Sequence, residues 1–142
     1  VIDFEIKLKS LWRSKDGVDI ERPFLYFISV KSSDGAVYTY VGKARDEARL
    51  HEYRRNMLKI HARRERGKSQ NYRAVHFALY SALRNDWEID FFPLENCEKG
   101  QLNELERQRI RERCCNLNGA RTWRVAQLDQ VSLHGLVRTS AT

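Results

Sequence analysis

The chain has 142 residues, 42% of them hydrophobic, which is enough for one ordinary core and favours a single domain over residues 1–142. It carries 26 Lys and Arg against 19 Asp and Glu, a formal charge of +7, and 18 of the 26 are Arg, a balance that points to a polyanion such as nucleic acid. No apolar run approaches the roughly 18–20 residues of a membrane span, residues 2–9 do not read as a secretory leader, and the three cysteines (Cys97 and the adjacent Cys114 and Cys115) read as reduced thiols of a cytoplasmic protein, with no disulfide framework and no zinc spacing.

Residues 1–22 are expected to form a leading β-hairpin. Phe4, Ile6 and Leu8 alternate with Glu5, Lys7 and Lys9, Lys15-Asp16-Gly17 reads as a turn, and residues 18–20 return as a short strand. "PFLYFISV" (23–30) is a buried strand, "SSDG" (32–35) a turn, and "AVYTYVG" (36–42) its antiparallel partner, with Tyr38 and Tyr40 on one face. A helix follows with Asp46 as N-cap, its apolar face made by Leu50, Tyr53, Met57 and Ile60. "HARRERGKSQNYR" (61–73) is a basic break. A second helix carries Val75, Leu79, Ala82 and Leu83 on one face, and "WEIDFFPL" (87–94) is a third strand that ends at Pro93. A third helix over residues 101–114 stops before "NLNG", and the tail 119–142 carries little signal. The order is β-β-α-α-β-α behind the hairpin. It predicts an α/β (α+β) domain with a three-stranded antiparallel sheet flanked by helices.

Several positions conflict with their local pattern. At 100° per residue, Glu106 falls between Leu102 and Ile110 on the inward side of its helix. A carboxylate there needs a cation, a hydrogen-bond network or a metal, and Arg109 and Arg113 on the same helix are candidate partners. Tyr26 and Tyr40 read either as core aromatics with a wet hydroxyl or as site residues. Arg49, one turn into its helix, is placed either to pair with Glu47 or Glu52 or to meet a phosphate. Lys59, Arg63, Arg64, Arg66, Lys68 and Arg73 cluster in the basic break, either as a solvated loop or as contacts to a nucleic-acid backbone.

Taken in order, these pieces resemble the GIY-YIG nuclease family. "FLY" (24–26) stands for the first motif and "YVG" (40–42) for the second. "YVGKA" (40–44) is similar to the form in the family's excision-repair nucleases. Arg49 and Tyr53 reproduce the family's Arg-to-His/Tyr spacing; Leu105, Glu106 and Ile110 match its Leu-Glu-x-x-x-Ile pattern; Asn118 fits its Asn. The resemblance covers about residues 24–118. Tyr38 and Arg45 are the alternatives to Tyr40 and Arg49, because the hairpin is longer than usual and the Tyr40-to-Arg49 step one residue shorter.

The resemblance implies a GIY-YIG endonuclease fold, with residues 1–22 as an N-terminal hairpin extension, 23–118 as the catalytic core and 119–142 as a tail. It implies a Mg²⁺- or Mn²⁺-dependent DNA endonuclease. Tyr26 would be the general base, helped by positive charge from Lys43. Tyr40 and Arg49 would orient water and clamp phosphate, Glu106 would hold the metal, and Asn118 would brace the site. The compact layout resembles the family's stand-alone bacterial and phage enzymes. Two alternatives are a sequence-specific restriction endonuclease acting as a homodimer, and a non-catalytic nucleic-acid-binding module of the same fold.

Overall fold

A computed structural model describes residues 4–67, 71–119 and 122–128. The two apolar runs around the Asp-Gly turn form β1 (Phe24–Lys31) and β2 (Val37–Ala44). They pair antiparallel in unbroken register from Phe24↔Ala44 to Lys31↔Val37. The third strand, β4 (Glu88–Asn96), pairs antiparallel with the other side of β1, which makes the order β2-β1-β4. It runs past Pro93 rather than ending there. Pro93 lies opposite Tyr26 where the register shifts, on an edge strand, where a residue without an N–H is tolerated.

The period of two sends alternate side chains to opposite faces. Phe24, Tyr26, Ile28 and Val30 of β1, with Tyr38 and Tyr40 of β2 and Phe91 of β4, join the larger core. That face packs on α1 (Phe4–Lys9), α2 (Ala48–His61) and α3 (Ala74–Asn85), through Leu8, Tyr53, Met57, Ile60, Phe77 and Leu79. Leu25, Val41 and Leu94 face the other way and form a second cluster with Leu102 of α4 (Leu102–Glu112) and with Cys115. Arg109 fixes α4 to β4 by a two-pronged bond to Glu95, 2.8 Å from Nε and 3.1 Å from Nη2, which holds the Glu95 carboxyl below its usual range. Among the described residues no helix is long and apolar enough to cross a membrane.

Two expectations fail at the N-terminus. The alternating run at 4–9 is a helix, not a strand. Six residues satisfy both periods, and the outcome is set by Phe4, Leu8 and Leu11, which recur at four and three and lie against the helical layer. Phe4 stacks on His61 at 4.1 Å, Leu8 and Leu11 are buried, and Ile6, inward in the strand reading, is 59% exposed. Residues 18–20 form no returning strand either. Asn96 ties that segment down instead, its amide accepting from Asp19 N at 2.8 Å and donating to Asp19 O at 2.7 Å. The extension is therefore a helix and a loop, not a β-hairpin.

The segment after α4 has a role that its composition does not announce. Along the free edge of β2, Asn116 accepts from Thr39 N and donates to Val37 O, at 2.9 and 3.1 Å. Asn118 repeats this two residues on, accepting from Val41 N at 3.1 Å and donating to Val41 O at 2.8 Å. Leu117 N adds a bond to Thr39 O at 3.0 Å. "NLN" thus satisfies an edge that would otherwise present open backbone groups. Further on, β5 (Thr122–Trp123) pairs with β3 (Tyr72–Arg73), the two residues that lead into α3. Asn118→Ala strips both partners from Val41, which is fully buried. It is expected to lower stability by about 2 kcal/mol, read as a fall in urea midpoint at constant m-value.

Candidate active site

Tyr26 and Tyr40 lie on one face of the sheet, Lys43 on the other, and Arg49 in the first turn of α2. With Glu106 of α4 and Asn118 beyond it, all six line one pocket of about 460 Å³. Arg73, Ile110 and Thr122 extend its wall. Tyr38 and Arg45, the alternatives, are not among the lining residues. The shortened step from Tyr40 to Arg49 still brings the guanidinium to the pocket.

Gly42 makes this arrangement possible. It pairs opposite Tyr26, and a Cβ built on it would overlap Tyr26 Cζ and Oη and stand 2.7 Å from Cε2. The phenol occupies the space that any other residue at 42 would fill. Its ring is set among Tyr40, Tyr53 and Phe91, with centroids 6.2, 5.6 and 5.7 Å away. Its hydroxyl is 2.9 Å from that of Tyr53. Burial pushes the Tyr26 phenol far above the ordinary tyrosine range, and the neighbouring Tyr40 adds to this. The bond to Tyr53 and the charges of Arg49 and Arg73 pull it back. The cations that favour its phenolate are thus two arginines, not Lys43 as expected.

Lys43 points to the α4 side instead, where it donates to Asn103 and stands 4.0 Å from Glu106. The Glu106 side chain is one-fifth exposed. Desolvation raises its pKa, against the pull of Lys43, Arg73, Arg107 and Arg49. The arginines of its own helix turn elsewhere. Arg109 binds Glu95 and Glu112, and the Arg113 guanidinium lies 4.6 Å from the Phe27 ring. Among the described residues no group of three or more His, Cys, Asp and Glu side chains converges, and Glu106 is the one carboxylate of the pocket wall. One partly desolvated carboxylate fits a divalent cation that keeps most of its positions for water and phosphate, a common state of Mg²⁺.

The basic break divides. Lys59 donates to Arg66 O at 3.1 Å, Arg63 lies 5.9 Å from the Tyr80 ring, and Arg64 is exposed, its carbonyl accepting from Tyr72 Oη at 2.7 Å. Arg66 lies behind the pocket beside Arg49, and Lys68 is outside the described residues. Among the described members of this set Arg73 alone reaches the pocket, where Nη1 donates to Tyr40 Oη at 3.2 Å. Sequence reasoning grouped it with the basic break as a contact to a nucleic-acid backbone, and missed His76 behind it. The signal for His76 was slight: a histidine three residues into a helix, at the position where a side chain reaches back to the residue before the first turn. It accepts from Arg73 N on Nδ1 at 3.0 Å, and Asn56 lies 3.4 Å from its Nε2.

No family model, curated protein or solved structure matches the chain. What stands is a mixed α+β domain with a three-stranded antiparallel sheet and a basic, tyrosine-lined pocket at the sheet's β2 side.

Gly42→Ala is expected to displace the Tyr26 ring and lower stability by about 1–3 kcal/mol; near-ultraviolet circular dichroism and urea titration report both. His76 has a pH consequence. Burial, with the charges of Arg66, Arg73 and Arg49, lowers its pKa to about 3. Above the unfolded value of 6.5 the ring is neutral in both states and contributes no pH dependence. Below it the unfolded chain binds a proton that the folded chain refuses, so stability falls as pH falls toward 3, by about 2 kcal/mol at pH 5. His76→Gln, which can still accept from Arg73 N, is expected to flatten this slope in denaturation curves between pH 7.5 and 5.

Proposed function

We propose that the chain is a metal-dependent DNA endonuclease that hydrolyses phosphodiester bonds, on a GIY-YIG-type fold. One observation carries the reading: two tyrosines, a lysine and two arginines line a single pocket with one half-buried carboxylate. Phosphodiester hydrolysis needs an activated water, cations on the phosphate oxygens and stabilisation of the leaving oxygen. The fold supports the same reading, since "FLY" and "YVG" lie on adjacent strands with Tyr26 opposite Gly42.

The guanidinium of Arg49 clamps a non-bridging phosphate oxygen, for which its fork geometry is suited. Tyr26 is the general base. Its hydroxyl is hydrogen-bonded to that of Tyr53; burial holds the phenol in its protonated form, and the charges of Arg49 and Arg73 work against that burial, toward the form that accepts a proton. Tyr40 positions the attacking water. Glu106 would hold a Mg²⁺ or Mn²⁺, and a cation bound there would supply charge stabilisation to the phosphate and the leaving oxygen. Asn118 braces the wall through Val41, and the exposed arginines of the basic break meet the DNA backbone beyond the scissile position.

The test is plasmid nicking with Mg²⁺ or Mn²⁺ and with EDTA, beside Glu106→Ala and Tyr26→Phe. Wild type is expected to nick only with metal, and each variant to be slower by about 10²–10³-fold. Mg²⁺ is also expected to raise the Tm of wild type but not of Glu106→Gln, whose metal-free form melts slightly higher because the desolvated charge is gone. Wild type and variants that bind DNA with equal affinity and are equally inert would leave a binding module in place of the enzyme.

A further inference from the structure

Three cations enter the pocket, and two of them meet a carboxylate. Lys43 Nζ is 4.0 Å from Glu106, and Arg49 Nη1 is 3.3 Å from Glu52. Among the described residues Arg73 has no carboxylate within 4.0 Å, and the hydroxyl of Tyr40 is its hydrogen-bond partner. We propose that Arg73 is a phosphate-binding residue of this pocket, a second guanidinium for the anion that Arg49 meets, and that it also orients Tyr40. The assignment rests on the nuclease reading for its DNA substrate and on the pocket alone for its anion.

Two features set Arg73 apart from an arginine of a solvated loop. The first is a fixed backbone. Arg73 pairs with Thr122 across β3 and β5, its N–H is held by His76 Nδ1 at 3.0 Å, and the preceding Tyr72 is fully buried. With its backbone fixed in this way and its Nη1 bonded to Tyr40 Oη at 3.2 Å, the exposed Arg73 side chain loses less freedom on binding than that of an arginine on a solvated loop, which favours an anion clamp. The second is the direction of its bond to Tyr40. Because Nη1 donates, Tyr40 Oη accepts there, and the hydroxyl proton of Tyr40 must point elsewhere. Tyr40 lines the same pocket, so that proton is available to a phosphate oxygen or to the attacking water. Four further N–H donors of the guanidinium remain for the anion, since one of five serves Tyr40.

The first probe is inorganic phosphate in a thermal melt, against chloride of equal ionic strength. Wild type is expected to gain about 3 °C at ~20 mM phosphate, and Arg73→Gln less than about 1 °C. Arg84→Gln, exposed in the last turn of α3, at the end away from Arg73, is expected to keep the wild-type gain. The second readout is single-turnover cleavage at saturating DNA, expected to fall about 10²-fold in Arg73→Gln while the Kd for DNA changes only a few-fold. If Arg73→Gln does not fold by circular dichroism, Arg73→Lys replaces it. That variant keeps the charge but loses the fork, and is expected to retain less than half of the phosphate gain. A wild type that gains nothing from phosphate overturns the assignment, as does a full gain in the Arg73 variant. Phosphate binding through Arg73 in a protein that nicks no DNA removes the nuclease reading and leaves this one. Nicking and phosphate response both unchanged in Arg73→Gln do the reverse.

Discussion

The phenol of Tyr26 lies over the α-carbon of Gly42, in space that any side chain would claim, and the rest of the pocket depends on that contact. With the ring set there, its hydroxyl meets Tyr53 on α2, its ring packs against Phe91 on β4, and its neighbour across the hairpin is Tyr40. One small residue thus connects the sheet to the helical layer at the point where the pocket forms. The glycine acts through absence of volume rather than through backbone freedom, since its φ is not in the left-handed region.

Charge in the pocket is arranged by face. On the side of α4, one carboxylate faces one lysine at a distance too long for a tight pair, and burial raises the pKa of the carboxyl. On the side of α2 and α3, two arginines act on three phenols, two of them fully buried. The first half is suited to a hard cation and the second to an anion. Under the proposed nuclease reading, a phosphate with its metal would unite those two requirements in one ligand. His76 fits this layout as well. Buried among Arg49, Arg66 and Arg73, it stays neutral, so it anchors Arg73 without adding a further positive charge to a region already dense in them.

Much of this was legible in the sequence, for physical reasons that differ by element. The central hairpin declared itself through a continuous aromatic and β-branched run around Asp-Gly, and α2, α3 and α4 through apolar spacing sustained over three turns. Glu106 was visible as a polar residue on an apolar face, a conflict that a structure must resolve. The failures are of two kinds. Residues 4–9 are too few to separate a period of two from one of 3.6, and burial of Phe4 and Leu8 against the helical layer decided the matter. Arg73 and Asn116 act on partners 33 and 77 residues away, and no local pattern encodes those distances. Asn118 was placed only through the family resemblance; its pairing with Val41 is visible only in the fold.

That pairing bears on how the pocket holds its shape. Glu106 sits on α4, on one face of the sheet, while Tyr26 and Tyr40 project from the other. Side-chain packing alone would let α4 slide by fractions of an ångström, enough to spoil a site that needs its groups within about 0.5 Å. The "NLN" segment removes that freedom. It leaves the end of α4 and at once bonds to β2 at residues 37, 39 and 41, so the helix that carries the carboxylate is registered against the strand that carries Tyr40, Gly42 and Lys43. Five hydrogen bonds with directional geometry do what hydrophobic contact cannot, because hydrophobic burial is nearly indifferent to small translations. The edge of the sheet is in this way both protected from pairing with another chain and used as the ruler that sets the position of Glu106 relative to the tyrosines of the pocket.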